Sequence, residues 1–426
     1  MGLTGDERAV LDEIDDDAIL ADVATLVAIP SVDGTDGEHE AQAWCAARLG
    51  ELGLEVDHWP IDVAELAADR QFPGMEVPRT LAWGCVAVLP AGSTSSKPGP
   101  PPALVLNGHV DVVPPGPPDH WPGGDAFAVR HVDGALWGRG TCDMKAGVAA
   151  IIGAVAAVHA SGFALRRSLA VHTVIGEEDG GLGTFATLRR GHRGDACVVA
   201  EPTAGAIVPA NAGALTFRLE ITGRATHGST RTRGVSVVDK LEVITRALRE
   251  LEEARNERVD ERFAHLDLAW PLSIGTVRAG DWASTVPDRL VAEGRYGVMP
   301  GEPLAAARSA LEAVVAAAAQ TDPWLCDHPV AVTWPGGAFA SGSLPVGHRL
   351  LDDVSAAVLD VSGRRPDVHG APYGSDLRQY AEARIPCLQY GPGDVRFAHA
   401  TDEHVRITDV LACARVYALL ALRACG

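Results

Sequence analysis

Closely spaced cysteine pairs are missing from this chain. Its eight cysteines (Cys45, Cys85, Cys142, Cys197, Cys326, Cys387, Cys413 and Cys425) are scattered and form no C-x-x-C. That excludes a zinc ribbon and offers no disulfide framework, and it suits reduced thiols in a cytoplasmic protein. Cys142, beside Asp143, reads as a small buried residue and not as a nucleophile. Basic charge is also scarce: 36 Lys and Arg stand against 56 Asp and Glu, a net charge of −20. Such a balance argues against nucleic acid and against an anionic membrane as partner. The acidic start, MGLTGDERAVLDEIDDD, lacks the apolar core of a secretory signal. No uncharged apolar run is long enough for a confident membrane span, and the nearest, Ala146 to Ala160, reads as a buried helix. There is no repeat of solenoid period and no G-x-S-x-G nucleophile elbow, which sets aside a serine α/β-hydrolase.

What is present is a large apolar content, 47% of 426 residues, enough for two globular domains with substantial cores. Residues Asp6 to about Leu52 are predicted mostly helical, with Pro30 ending one segment. Apolar runs at Leu54–Trp59, Thr80–Leu89, Ala103–Leu106, Ser168–Ile175 and Ala196–Ala200 read as strands. Several end in a polar tip followed by a helix, which predicts an α/β domain: a mixed, largely parallel sheet with helices on both faces. Pro90–Pro102 reads as a surface loop. From about Gly205 the character changes. Leu215–Thr222 alternates in polarity, and the order strand, helix (Val235 to about Arg258), strand, strand, helix (Pro303–Ala319) fits an inserted two-layer α+β domain. The expected division is 1–205 with 324–426 for the catalytic domain and 206–323 for the insertion.

Chemistry-bearing residues gather at the predicted strand ends. Leu104–Leu106 stops at a turn signal, Asn107-Gly108, and His109 and Asp111 follow. Glu177 and Glu178 follow the strand ending at Ile175, and Glu201 follows Ala200. His399, in the last hundred residues, reads as a fourth strand tip, and Asp143 precedes a helix. Open α/β sheets bind ligands at strand carboxyl ends. Two imidazoles with several carboxylates suit two borderline-hard cations, Zn²⁺, Co²⁺ or Mn²⁺, with one carboxylate shared. Asp111 is placed to orient His109, and a spare glutamate could move the proton of an acidified water.

GHVDVVP, GRGTCDMKAG, GEED, AEPT and GPGD…AHATDEH, in this order, resemble the M20 metallopeptidase family of the acetylornithine deacetylase, succinyl-diaminopimelate desuccinylase and carboxypeptidase G type. The likeness implies a zinc-peptidase-like catalytic domain with an inserted lid that dimerises. It implies two divalent cations per chain, most often zinc. His109, Asp143 and Glu201 would hold one; Asp143 (bridging), Glu178 and His399 would hold the other. Glu177 would be the general base, acting on a metal-bridging hydroxide, and Asp111 the partner of His109. A cis peptide at Asp143-Met144 is implied as well. RATHGSTRTRGVS matches the lid motif and casts His227 as a group at the substrate carbonyl. AEGRYGVMPGE and YGSDLRQY offer Arg295, Arg378 and Ser375 as substrate contacts. Trp282-Ala283-Ser284-Thr285 before Val286-Pro287-Asp288 departs from the asparagine of many members. The implied activity is hydrolysis of an N-acyl amino acid or related small N-acylated amine, with a dipeptidase, a carboxypeptidase or a silent binding member as alternatives.

Overall fold

The structure, a computed structural model, describes residues 2–92 and 99–426. Part of the predicted Pro90–Pro102 loop thus lies outside the described residues. The chain divides into two compact units: residues 1–210, 343–369 and 376–426, and residues 211–342 with 370–375.

The first unit is built on a six-stranded sheet in the order Glu55–Pro60, Trp83–Leu89, Leu169–Val174, Leu104–His109, Cys197–Val199, Cys387–Gln389. The first two pairings are antiparallel and the remaining three are parallel. Alternation along the strands shows that both faces are buried. Leu104, Leu106 and Val171 enter one apolar cluster, while Val105, Ala170 and Val199 enter another with Leu377, Tyr380 and Ile385. Parallel strands covered on both sides read as continuous apolar runs, which is why Ala103–Leu106 was legible as core. The strand does not stop at Asn107-Gly108, however. It continues through His109, paired with Val174, so His109 is the last residue of the strand and not the first of a loop. Gly108 allows this because a side chain there would run into Val148 and Met144.

The helix Ala146–Ala160 is apolar on every side because it is enclosed on every side. With the turn before it, it is long and apolar enough to cross a membrane, yet 83% of that stretch is buried in the unit as a core helix. Its start is anchored by Lys145, whose buried ammonium donates to the carbonyls of Leu26 and Ile29 at 2.9 and 2.7 Å, the C-terminal end of the helix Asp16–Ala28. Cationic donors are favoured at that end of a helix.

The second unit pairs Leu272–Ala279, Arg289–Val298, Gly213–Thr222 and Ala331–Thr333 in that order, with Ala338–Phe339 also on Gly213–Thr222. Leu215, Phe217, Leu219 and Ile221 point into a core closed by Ile244 and Leu248 of the helix Val237–Asn256 and by Leu311 and Val315 of the helix Leu304–Gln320. The expected return to the catalytic segment at residue 324 is too early. Leu325 belongs to this second core and Ala331–Thr333 to its sheet, so the unit runs on to 342.

Gly147 packs where a Cβ would lie 2.5 Å from the Ala200 carbonyl oxygen, one residue before Glu201. Gly147→Ala improves helix propensity by about 1 kcal/mol, but overpacking against fixed backbone costs about 1–3 kcal/mol. We expect a lower thermal midpoint; an unchanged or raised midpoint would contradict the packing described.

Candidate metal centre

Three parallel strands deliver the site. Leu104–His109 ends on His109, with Asp111 two residues on. Leu169–Val174 leads through Ile175-Gly176 to Glu177 and Glu178, and Cys197–Val199 leads to Glu201. Asp143 comes from the turn Thr141–Lys145, which precedes the core helix and contains a cis peptide at Asp143-Met144. His399 comes from the loop between Phe397 and His404 and takes a left-handed φ of 62°. All seven residues lie in the first unit.

Asp143 stands between the two histidines. Its Oδ1 is 3.0 Å from His109 Nε2 and its Oδ2 is 3.6 Å from His399 Nε2. Glu201 Oε2 lies 3.9 Å from His109 Nε2, and Glu178 Oε2 lies 2.9 Å from His399 Nε2. Two groups of donors result, His109–Asp143–Glu201 and Asp143–Glu178–His399, each with ligand atoms within 4.8 Å of one another. His109 Nδ1 faces the backbone carbonyl of Asp111 at 3.0 Å, closer than that residue's carboxylate at 3.6 Å. The tautomer-fixing contact is therefore main-chain. The Asp111 carboxylate instead accepts the Glu178 N–H at 3.1 Å and so joins the two strand ends.

The electrostatics of the cluster favour positive charge. Burial pulls the His109 imidazole down, but the Asp111 charge, the Asp143 hydrogen bond and Glu201 overcome it and hold the ring well above its ordinary range. The Glu178 hydrogen bond pushes His399 up to about 9. Burial raises Asp143, yet its contact with His109 and the nearby charges leave it below the usual carboxylate range. Burial, then the charge of Glu201, drives Glu177 far up; burial likewise drives Glu201 up. Among the described residues, Oε1 of Glu177, Oε1 of Glu201 and Oδ1 of Asp111 are buried without a hydrogen-bond partner. Buried carboxylate oxygens without partners are costly unless something electropositive meets them. Imidazole and carboxylate donors in this arrangement fit two divalent cations of the zinc, cobalt or manganese kind. The Cys142 thiol is pushed well up by burial and donates to the Asp394 carbonyl at 3.3 Å, which suits a packed residue and not a nucleophile.

A third acidic group, Asp33, Glu38 and Asp111, adjoins the centre and already contains a cation. The guanidinium of Arg79, wholly buried, contacts Asp33 at 3.0 Å, Glu38 at 2.6 Å and Asp179 at 2.6 Å. Asp179 also accepts the Val77 N–H at 2.9 Å. The Glu177-Glu178-Asp179 turn is thereby tied to the irregular segment 74–79. Sequence reasoning missed Arg79, Asp33 and Glu38 because no motif or strand end marks them.

The other predicted residues separate. Arg378 is buried in the first unit; its Nη2 donates to the Gly180 carbonyl at 2.6 Å, and it feels the charges of Asp376 and Glu177. His227, Arg295 and Ser375 belong to the second unit. His227 is exposed, with Nδ1 2.7 Å from Ser229 Oγ, and caps the short helix Gly228–Arg233. Arg295 donates to the Pro372 carbonyl at 3.1 Å, and Ser375 is buried.

Residues 105–423 match the peptidase family M20/M25/M40. The chain is 26% identical over 406 residues to the N-formyl-4-amino-5-aminomethyl-2-methylpyrimidine deformylase of Bacillus subtilis, covering 91% of this chain and 89% of that protein. It is 32% identical over 341 residues to the succinyl-diaminopimelate desuccinylase of Gluconacetobacter diazotrophicus, covering 76% and 82%. Its fold is similar to that of the di-peptidase Dug1p from Saccharomyces cerevisiae, with a TM-score of 0.76, 15% identity and 98% of each chain covered. With the family matched along most of its length and both donor groups in place, the chain belongs to peptidase family M20/M25/M40, whose members hydrolyse amide bonds.

Proposed function

We propose that the protein is a cytoplasmic two-metal deacylase that cleaves the amide bond of a small N-acylated amine or N-acyl amino acid. The observation that carries this is the placement of Asp143 between two donor groups with the buried Glu177 beside them. In this reading His109 and Glu201 hold one cation and Glu178 and His399 the other, with Asp143 shared. When bound, the pair polarises the amide carbonyl and acidifies water.

The chain's own residues then do the following. Glu177 takes one proton from the attacking water. The water oxygen bonds to the carbonyl carbon, and the C–N bond breaks. The same proton passes from Glu177 to the departing nitrogen, giving a carboxylic acid and an amine. Arg79 and Asp179 hold the turn that carries Glu177, so the base keeps its position through the transfer. The family likeness assigns His227 the hydrogen bond to the carbonyl oxygen as charge develops there, a role that rests on its lid motif alone. Arg378, Arg295 and Ser375 are the candidates for gripping the remainder of the substrate. The deformylase and desuccinylase relatives are both named for removing an acyl group from an amine, which favours a deacylase over a peptidase.

Two experiments follow. Glu177→Ala is expected to lower kcat by about 100-fold to 10,000-fold with two metals retained. His227→Ala should lower kcat and also leave the metals in place, while His399→Ala should lose at least one ion per chain. Metal analysis beside steady-state kinetics checks all three, and loss of metal from Glu177→Ala would remove it from the role of base. For the substrate, N-formyl, N-acetyl and N-succinyl amines and amino acids are compared with unblocked dipeptides. Activity should require the acyl group, vanish with a chelator and return with Zn²⁺ or Co²⁺. Preference for free dipeptides would replace the deacylase reading with a dipeptidase.

A further inference from the structure

Glu403 is no ligand in either donor group, yet its side chain is wholly buried and meets the main chain of Asp143. Its Oε1 accepts three main-chain N–H groups from one turn: Gly140 at 2.8 Å, Cys142 at 3.0 Å and Asp143 at 3.1 Å. The turn can aim three donors at one point because Gly140 takes a left-handed φ of 85°. Convergent N–H groups of this kind form an anion-binding concavity, and here the anion is a side chain of the protein. The second oxygen, Oε2, pairs with Nη1 of buried Arg139 at 2.5 Å. Nη2 of the same guanidinium donates to the His399 carbonyl at 3.2 Å. One carboxylate and one fork thus join the main chain at Asp143 to the main chain at His399.

We propose that Glu403 and Arg139 are positioning residues that set the spacing between Asp143 and His399 and so fix the geometry of both cation sites. The proposal rests on the two-metal reading above. Three features support a positioning role over plain core packing. The contacts are charge-assisted and directional. Two of them reach the main chain of ligand-bearing residues, the N–H of Asp143 and the carbonyl of His399. They also reach one residue of each donor group, Asp143 being common to both. Glu403 lies four residues after His399, so the spacing between that ligand and its anchor is set within one short loop, whereas the turn it holds is remote in sequence. The left-handed φ of His399 is the kind of backbone state that persists only where surrounding contacts hold it.

The test uses the full chain, stripped of metal and titrated with Co²⁺ alone while visible absorption and bound cobalt are followed. The wild type should take up two equivalents. Glu403→Gln keeps the volume but removes the charge and turns a donor toward donors. It should bind cobalt about 10-fold to 100-fold more weakly with an altered d–d spectrum, while circular dichroism shows the fold retained. Arg139→Lys keeps a cation beside Glu403 but loses the branch to His399. It should alter the spectrum of the Asp143–Glu178–His399 ion, and it decides the matter should Glu403→Gln not fold. Wild-type affinity and spectrum in a folded Glu403→Gln, or in Arg139→Lys, would overturn the positioning role and leave the two-metal reading standing. A wild-type chain that takes up no cobalt would overturn the two-metal reading and this inference with it.

Discussion

Asp143 turns one carboxylate oxygen toward His109 and the other toward His399, and the surrounding structure serves to keep that carboxylate where it is. The requirement is demanding because Asp143 sits in a turn and not in a strand or helix, so no ladder of backbone hydrogen bonds fixes it. Its position comes from neighbours instead. Lys145 ties the next turn to the carbonyl end of the Asp16–Ala28 helix, and Glu403 gathers the N–H groups on the other side. The core helix that begins at Ala146 gives the turn a rigid wall, close enough to Ala200 that only glycine fits at 147.

Around this carboxylate the protein gathers acids whose nearest cationic groups are imidazoles. Glu177, Glu178, Glu201 and Asp111 share the buried space with Asp143, and the two imidazoles are held high because they are the nearest cations available to them. A few ångströms behind, the same protein shows how it treats acids that need only structural balance. Asp33, Glu38 and Asp179 surround Arg79 and satisfy its guanidinium completely enough to hold it far above its ordinary range. The contrast separates the two clusters by chemistry. One contains its own cation, although Asp179 Oδ1 stays without a hydrogen-bond partner there; the other leaves oxygens of Glu177 and Glu201 buried without partners, as a centre for divalent cations would.

Much of this was legible before any coordinates. Strand-end acids and histidines are conspicuous when the strand itself reads as an uninterrupted apolar run, and the expectations for His109, Glu177, Glu178 and Glu201 rest on that. Asp143 reads from the sequence as an acid at a helix start and His399 as one more strand tip; the structure puts His399 in the loop after Phe397 instead, where no strand precedes it. Residues whose role is to hold other residues left no local signal. Arg79 lies in an irregular segment, and Glu403 appears in the sequence as one acid among many, its three N–H partners drawn from far away in the chain. The boundary at 342 instead of 323 was missed for a similar reason. Ala331–Thr333 is three residues long, too short for alternation to reveal, and only pairing with Gly213–Thr222 assigns it to the second unit.

The central claim is that one carboxylate serves two cations, and the metal content of Asp143→Asn measures it most directly. The substitution keeps the shape and removes the charge. Under metal concentrations that fill the wild type with two equivalents, the account predicts less than one equivalent in the folded variant, because both donor groups lose their common member. Retention of a full equivalent would show that at least one cation is held without Asp143, and would contradict the shared-carboxylate centre.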